Sequence, residues 1–272
     1  MTDRYAVVGN PIAHSKSPRI HAMFAEQTGA DLVYTSVLGE VGRFAETAEA
    51  FRAAGGRGLN VTVPFKQDAW VYADRLSDRG ELAGAVNTLS FTAQGIIGDN
   101  TDGVGLVRDL EVNHGCTLAG RRILLLGAGG AARGVLQPLL LAGPGAVTIA
   151  NRTFDRAAEL AIRFGGFGYI TASTYHELAG EHFDVVINAT AAGLDDSVPP
   201  LPDTVLADNA WCYDLMYADQ PTAFVRWARA HGAGHALDGL GMLVEQAAES
   251  FFIWRGVRPD TASVMQALRA AR

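Results

Sequence analysis

Short apolar runs alternate with longer mixed segments along the first hundred residues. "YAVVG" (5–9), "LVYTSVL" (32–38) and "GLNVTV" (58–63) read as strands, the first stopped by Gly-Asn-Pro and the third by Pro64. Between them, "SPRIHAMFAEQTG" (17–29) and "RFAETAEAFRAAGG" (43–56) read as helices. Ser17 is the expected N-cap of the first, Pro18 suits its first helical position and Gly29 its stop. Strand, helix, strand, helix, strand predicts a mainly parallel sheet with crossover helices. A helix near 66–76 follows, then "AVNTLSFTAQGIIGDNTDG" (85–103), a hairpin ending in a polar turn.

From about residue 120 the pattern is stronger. "RILLL" (122–126) is a buried strand, followed by a glycine turn and a helix. "AVTIANRT" (146–153) is a second strand and "FDRAAELAIRFGG" a second helix; "FDVVINATAAG" (183–193) and "WCYDLMY" (211–217) are later strands. The predicted fold is therefore α/β in two domains, 1–102 and 103–238. A helical stretch, 239–272, is left by the pattern alone between the two. No internal repeat or heptad is present.

Composition narrows the class. The 272 residues are 49% hydrophobic and 19% charged, which excludes a disordered chain. A net charge of −7 argues against nucleic acid as a partner, while leaving room for a local pocket for a small anion. The best apolar stretch, 123–141, is interrupted by Arg133 and Gln137, so no membrane span is expected. The N-terminus lacks the apolar core of a signal peptide. Cys116 and Cys212 lie far apart, with no metal-binding spacing, and fit a reducing compartment; the expected location is cytoplasmic.

The glycine turn brings in chemistry. "GAGGAA" (127–132) fits G-x-G-x-x-G/A, follows a strand and opens a helix. Its glycines permit a tight turn and close approach of backbone to a pyrophosphate, and the helix N-terminus offers N–H groups to the anion. The next strand ends in Asn151, Arg152, Thr153 and Arg156, where an acidic residue would select NAD. Asp155 comes too late to be that residue. Two guanidiniums and a hydroxyl suit a 2′-phosphate instead, so the expected cofactor is NADP (NADPH).

Three polar groups mark the first domain. "GNPIAHSKSP" (9–18) holds Ser15 and Ser17 before a helix, a good cradle for a carboxylate. In "NVTVPFK" (60–66), Asn60 and Thr62 share one face at period two and Lys66 follows the proline. "GAVNTLS" and "GDNTDG" carry Asn87 and Asp102. Each alone could be turn chemistry.

Together these stretches resemble the shikimate dehydrogenase family. "GNPIAHSKSP", "NVTVPFK", "AGAVNTL", "GDNTDG", "GAGGAA", "NRT", "INAT" and "DGLGMLVEQAA" match its pattern in order, from residue 5 to about 260. The resemblance implies NADPH-dependent reduction of 3-dehydroshikimate to shikimate by a monomer or homodimer. It implies a substrate domain over 1–102, a Rossmann-type NADP domain over 103–238, C-terminal helices that pack back on the first domain, and a cleft between domains as the active site. Ser15 and Ser17 would hold the substrate carboxylate, assisted by Tyr217. Asn60, Thr62, Asn87, Asp102 and Gln246 would bind the ring hydroxyls. Lys66 would be the acid/base, paired with Asp102. Gly127, Ala128, Gly129, Gly130 and Ala131 would meet the pyrophosphate, and Asn151, Arg152, Thr153 and Arg156 the adenosine phosphate. Leu215 and Gly239 would line the nicotinamide side; methionine is common in the family where Leu215 stands.

Reduction of a ketone develops negative charge on oxygen, which an ammonium neutralises before giving up a proton. That chemistry explains a lysine at the end of a strand. His14, His21 and His235 lack a carboxylate at recognisable spacing, and helix surface or loop packing accounts for them better. A quinate/shikimate dehydrogenase preferring NAD would carry an acidic residue after the second strand and, for quinate, threonine at position 17; neither is present. A non-catalytic NADP-binding regulator has no use for Lys66 and Asp102 together.

Overall fold

A computed structural model of the chain describes residues 2–190, 192 and 196–271. It divides into two units, Met1–Gly105 with Leu243–Arg272, and Leu106–Met242. These borders lie a few residues beyond the expected 102/103 and 238/239.

The first unit carries a six-stranded sheet of β1 (Asp3–Gly9), β2 (Leu32–Leu38), β3 (Gly56–Val61), β4 (Arg75–Leu76), β5 (Thr88–Thr92) and β6 (Gly95–Asp99). Its order is β2-β1-β3-β5-β6-β4. β1 runs parallel to β2 and β3, whereas β3–β5 and β5–β6 are antiparallel. Period two sends Ala6, Val8, Leu59 and Val61 to one face, where they meet Phe44, Phe65 and Ala69. Tyr5 and Val7 go to the other, with Ile12, Tyr34 and Trp254. Both faces are covered, which is why "YAVVG" is apolar without alternation. The helices here are α1 (Ser17–Thr28), α2 (Phe44–Ala53), α3 (Lys66–Tyr72), α4 (Asp78–Ala83) and α5 (Asp102–Arg108), the last running into a π-turn at Asp109–Asn113.

The second unit is a fully parallel sheet of β7 (Arg122–Leu126), β8 (Ala146–Ala150), β9 (Ile170–Ser173), β10 (Phe183–Asn188), β11 (Leu206–Asp214) and β12 (His235–Leu237). Its order, β12-β11-β10-β7-β8-β9, is that of two mononucleotide-binding halves meeting between β7 and β10. Helices α6 (Gly130–Leu141), α7 (Phe154–Phe164) and α8 (Ala223–Ala230) connect the strands. Finally α9 (Leu240–Arg255) and α10 (Ala262–Ala270) take the chain back to the first unit.

Several sequence expectations change. Lys16, not Ser17, is the N-cap of α1, and Ser17 is its first helical residue; Gly29 does stop it, at φ 65°. β3 ends at Val61 rather than 63, because a turn at 63–65 leads into Pro64 and α3. The helix expected over 66–76 stops at Tyr72 and gives way to β4. The strands expected at 146–153, 183–193 and 211–217 end earlier, at Ala150, Asn188 and Asp214. Residues 191 and 193 of the second lie outside the described residues.

Cys116 and Cys212 are free and buried, and burial pushes their thiols up to about 11 and about 12. Among the described residues no helix is long and apolar enough to cross a membrane. Nor does any group of three or more His, Cys, Asp or Glu side chains there form a metal cage.

Candidate active site

In the first unit the polar strand ends converge. Lys66 opens α3 and Asp102 opens α5, and the lysine Nζ donates to Asp102 Oδ2 at 2.5 Å. The lysine side chain is 24% exposed and the aspartate 8%, so the pair is shielded on the carboxylate side and open on the ammonium side. Asp102 Oδ1 accepts from Asn87 Nδ2 at 2.8 Å, and Asp102 N donates to Asn100 Oδ1 at 3.1 Å. Thr88 Oγ1, Thr101 N and Thr101 Oγ1 donate to Asn87 Oδ1 at 2.9, 2.9 and 3.2 Å. Three donors on that oxygen turn the Asn87 amide nitrogen toward Asp102. Gln246 Oε1, from α9, accepts from Asn87 Nδ2 at 3.2 Å.

Asn60 is buried beside this group. Its amide nitrogen donates to Asn87 O, Thr88 Oγ1 and Ser250 Oγ, and its oxygen accepts from Tyr34 OH at 2.7 Å. Both amide hydrogens are thus committed to protein acceptors. Thr62 stands half-buried one residue beyond β3, its N–H donating to Val8 O. Ser15 and Ser17 lie at the entry to α1, where Ser15 Oγ accepts from Ser17 N at 3.3 Å.

His21 is neither on the helix surface nor in a loop. It is buried and stacked on Tyr34, with ring centroids 4.0 Å apart at 3°. Among the described residues neither ring nitrogen has a partner at hydrogen-bonding geometry, and desolvation pushes its pKa down to about 3, with the neighbouring Asn60 amide acting in the opposite sense. His235 stacks on Trp211 at 3.5 Å, and His14 is exposed in its loop.

In the second unit the glycine turn leaves β7 and opens α6. Gly127 has φ +100°, and a Cβ there would come within 3.1 Å of Ala189 O. Gly129, the N-cap of α6, has no side chain to cap it, so among the described residues the first-turn N–H groups keep their capacity to donate. Among the described residues a Cβ at Gly129 or Gly130 would meet nothing within 4 Å, which fits the close backbone approach that a diphosphate requires. Past β8, Asn151 is half-buried and Arg152, Thr153 and Arg156 are exposed. Among the described residues neither arginine has a carboxylate partner. These donors fit an NADP 2′-phosphate.

Leu215 and Tyr217 follow β11, both half-buried. Gly239 N donates to Met216 O at 2.9 Å, and a Cβ on Gly239 would fall 2.3 Å from Leu215 O, so only glycine fits against that peptide. Lys66, Asp102, Asn87, Asn60 and Gln246 form one hydrogen-bonded group within the first unit, with Ser15, Ser17 and Thr62 in the same unit. Tyr217, Leu215, Gly239 and the glycine turn belong to the second.

The sequence did not single out Tyr34, Thr88, Thr101 or Ser250, which hold that group in place. Ser250 lies four residues after Gln246 on α9, and helical spacing places the two on one face. Nothing local announces that Asn60 meets it from 190 residues away.

Three family descriptions match successive parts of the chain. They are the shikimate dehydrogenase substrate binding domain (7–89), shikimate/quinate 5-dehydrogenase (110–194) and the shikimate 5′-dehydrogenase C-terminal domain (239–269). The NADP(+) shikimate dehydrogenase of Alkalilimnicola ehrlichii is 62% identical over 269 residues, covering 99% of both chains. The chain belongs to the shikimate dehydrogenase family. Among solved members of the family, shikimate 5-dehydrogenase from Thermus thermophilus, in complex with NADP(H) and shikimate, is 35% identical with TM-score 0.88 and full coverage of both chains. An Ael1 enzyme from Pseudomonas putida is 47% identical, with TM-score 0.93 and 98% of each chain covered.

Proposed function

We infer that this chain catalyses the reversible NADPH-dependent reduction of 3-dehydroshikimate to shikimate, a step of aromatic amino-acid (chorismate) biosynthesis. The observation that carries the reading is the Lys66–Asp102 contact, aimed by Asn87, in a chain 62% identical to an NADP(+) shikimate dehydrogenase. NADPH, when bound, supplies the hydride. Lys66 donates a hydrogen bond to the ketone oxygen, stabilises the charge that develops there, and gives up its proton to make the alcohol. Asp102 keeps the ammonium oriented and balances its charge. In the reverse direction Lys66 takes that proton back.

Ser15 and Ser17, with Tyr217, hold the carboxylate of the substrate. Thr62, Asn87, Asp102 and Gln246 bind its ring hydroxyls; Asn60 belongs to the same group and its protein contacts fix the others. Gly127 to Ala131 present N–H groups to the pyrophosphate, Asn151, Arg152, Thr153 and Arg156 take the adenosine 2′-phosphate, and Leu215 and Gly239 flank the nicotinamide. The same reading puts the enzyme in the cytoplasm, in keeping with two free cysteines, as a monomer or homodimer.

The test is direct. Purified protein with shikimate and NADP should produce NADPH absorbance, and quinate with NAD should produce far less. No absorbance change with shikimate would end the reading.

A further inference from the structure

We propose that Asp214 positions the nicotinamide side of the cofactor site, by tying together the two loops that leave β10 and β11. The proposal rests on the reading that the second unit binds NADP. Asn188 and Asp214 end these strands and face each other across the parallel ladder. Asp214 is fully buried, and among the described residues no cation pairs with it. Its Oδ1 accepts from Asn188 Nδ2 and from Met216 N, both at 3.1 Å, and its Oδ2 accepts from Thr222 Oγ1 at 2.6 Å. Asn188 Oδ1 in turn accepts from Thr190 Oγ1 at 2.7 Å and Thr190 N at 3.2 Å. One carboxylate therefore sets the 188–190 turn, the 214–216 turn and the Thr222 start of α8.

Backbone contacts complete the arrangement. Leu215 N donates to Asn188 O at 2.9 Å, and the Leu215 carbonyl lies so close to Gly239 that a Cβ there would fall 2.3 Å from its oxygen. Burying a carboxylate among neutral partners is costly, and desolvation pushes its pKa up against the donors from Thr222, Met216 and Asn188. A side chain kept for packing alone would carry no such penalty. The sheet order says which part of a ligand this serves. The pyrophosphate turn follows β7, the adenosine half lies over β7–β9, and β10–β12 form the other mononucleotide half. Asp214 is buried and acts through others: it places Leu215, Met216 and, through Asn188, Thr190.

The dissociation constants of NADPH and of 2′,5′-ADP, which lacks the nicotinamide half, are measured on the full chain by calorimetric titration. Asp214→Ala should weaken NADPH about 10-fold while leaving 2′,5′-ADP within about 2-fold. Asp214→Asn keeps one acceptor oxygen and should weaken NADPH about 3-fold, again sparing 2′,5′-ADP, and it decides the matter if the alanine variant does not fold. Equal weakening of both ligands would mean a general structural role, and unchanged NADPH affinity would mean none; either overturns the proposal. A wild-type chain that binds neither ligand would instead remove the cofactor reading, and this proposal with it.

Discussion

Lys66 has its ammonium 2.5 Å from a carboxylate and its side chain 24% exposed, a combination that leaves it reachable but held. Lys66→Ala should lower kcat at least about 10²-fold with KM little changed, the usual scale for loss of a general acid/base, as read from steady-state rates. Retention of more than half the wild-type kcat would reject the role. Arg152 invites a different comparison, since it faces solvent at the end of β8. Arg152→Ala should weaken NADPH far more than NADH in parallel titrations, and equal effects would show that the guanidinium does not meet a 2′-phosphate. His21 bears on stability. Its folded pKa of about 3 lies below the ordinary 6.5, so the unfolded chain binds the extra proton between these values. That contribution is complete above pH 6.5 and is lost as the pH falls toward 3. Between pH 7 and 4.5 the wild type should lose about 2–3 kcal/mol more than His21→Phe, which keeps the stack on Tyr34, in urea unfolding at the two values. Lys66, Asp102 and Arg152 could be read from sequence because each sits in a motif. The buried position of His21 could not, since its ring partners come from β2 and α9.

At the scale of elements, Tyr213 joins three of them. Its hydroxyl, on β11, donates to Asp109 Oδ2 in the π-turn at 2.6 Å and accepts from Met242 N in α9 at 3.1 Å. Burial and the Asp109 carboxylate push the phenol well above its ordinary range, so it remains a donor at any working pH. Tyr213→Phe should cost about 1–3 kcal/mol in denaturant unfolding, because it strips a donor from a buried carboxylate and orphans a buried N–H. Elements of this kind were unevenly legible. β7, the glycine turn and α6 stood out because strand, turn and helix each carry their own signal. β4 has two residues and β12 three, too few to show a period. α4, capped by the Ser77 side chain accepting from Gly80 N, hid between two strands. The threonine and serine hydroxyls around Asn87 were invisible because their meeting depends on β3, β5 and α9 coming together.

For the whole molecule, the decisive arrangement is the discontinuous first unit. Both crossings between units fall inside helices, α5 and α9, and not in loose linkers. The last thirty residues bring Gln246, Ser250 and Trp254 to the first sheet, where Trp254 Nε1 donates to Leu89 O at 3.2 Å and its ring stacks on Tyr5 at 4.6 Å. Arg79 adds a two-pronged bond to Asp99, at 2.6 and 2.8 Å, and reaches Glu249 of α9 at 3.1 Å. A fragment spanning 106–242 contains every strand of the second sheet and should unfold in one cooperative step by circular dichroism. A fragment ending at 105 should not, since Tyr5, His21 and Phe24 lose their partners Trp254 and Phe251. A cooperative melt of the shorter piece would contradict that account.

The same arrangement sets a timetable for birth on the ribosome. The segment up to residue 105 cannot close until the segment from 243 has emerged, and at ordinary elongation speeds the interval is roughly ten to thirty seconds. Throughout it the nascent strands around Tyr5 and Asn60 lie uncovered while the later-made nucleotide sheet is already able to assemble. A helper that shields apolar surface would find its substrate in those opening hundred residues.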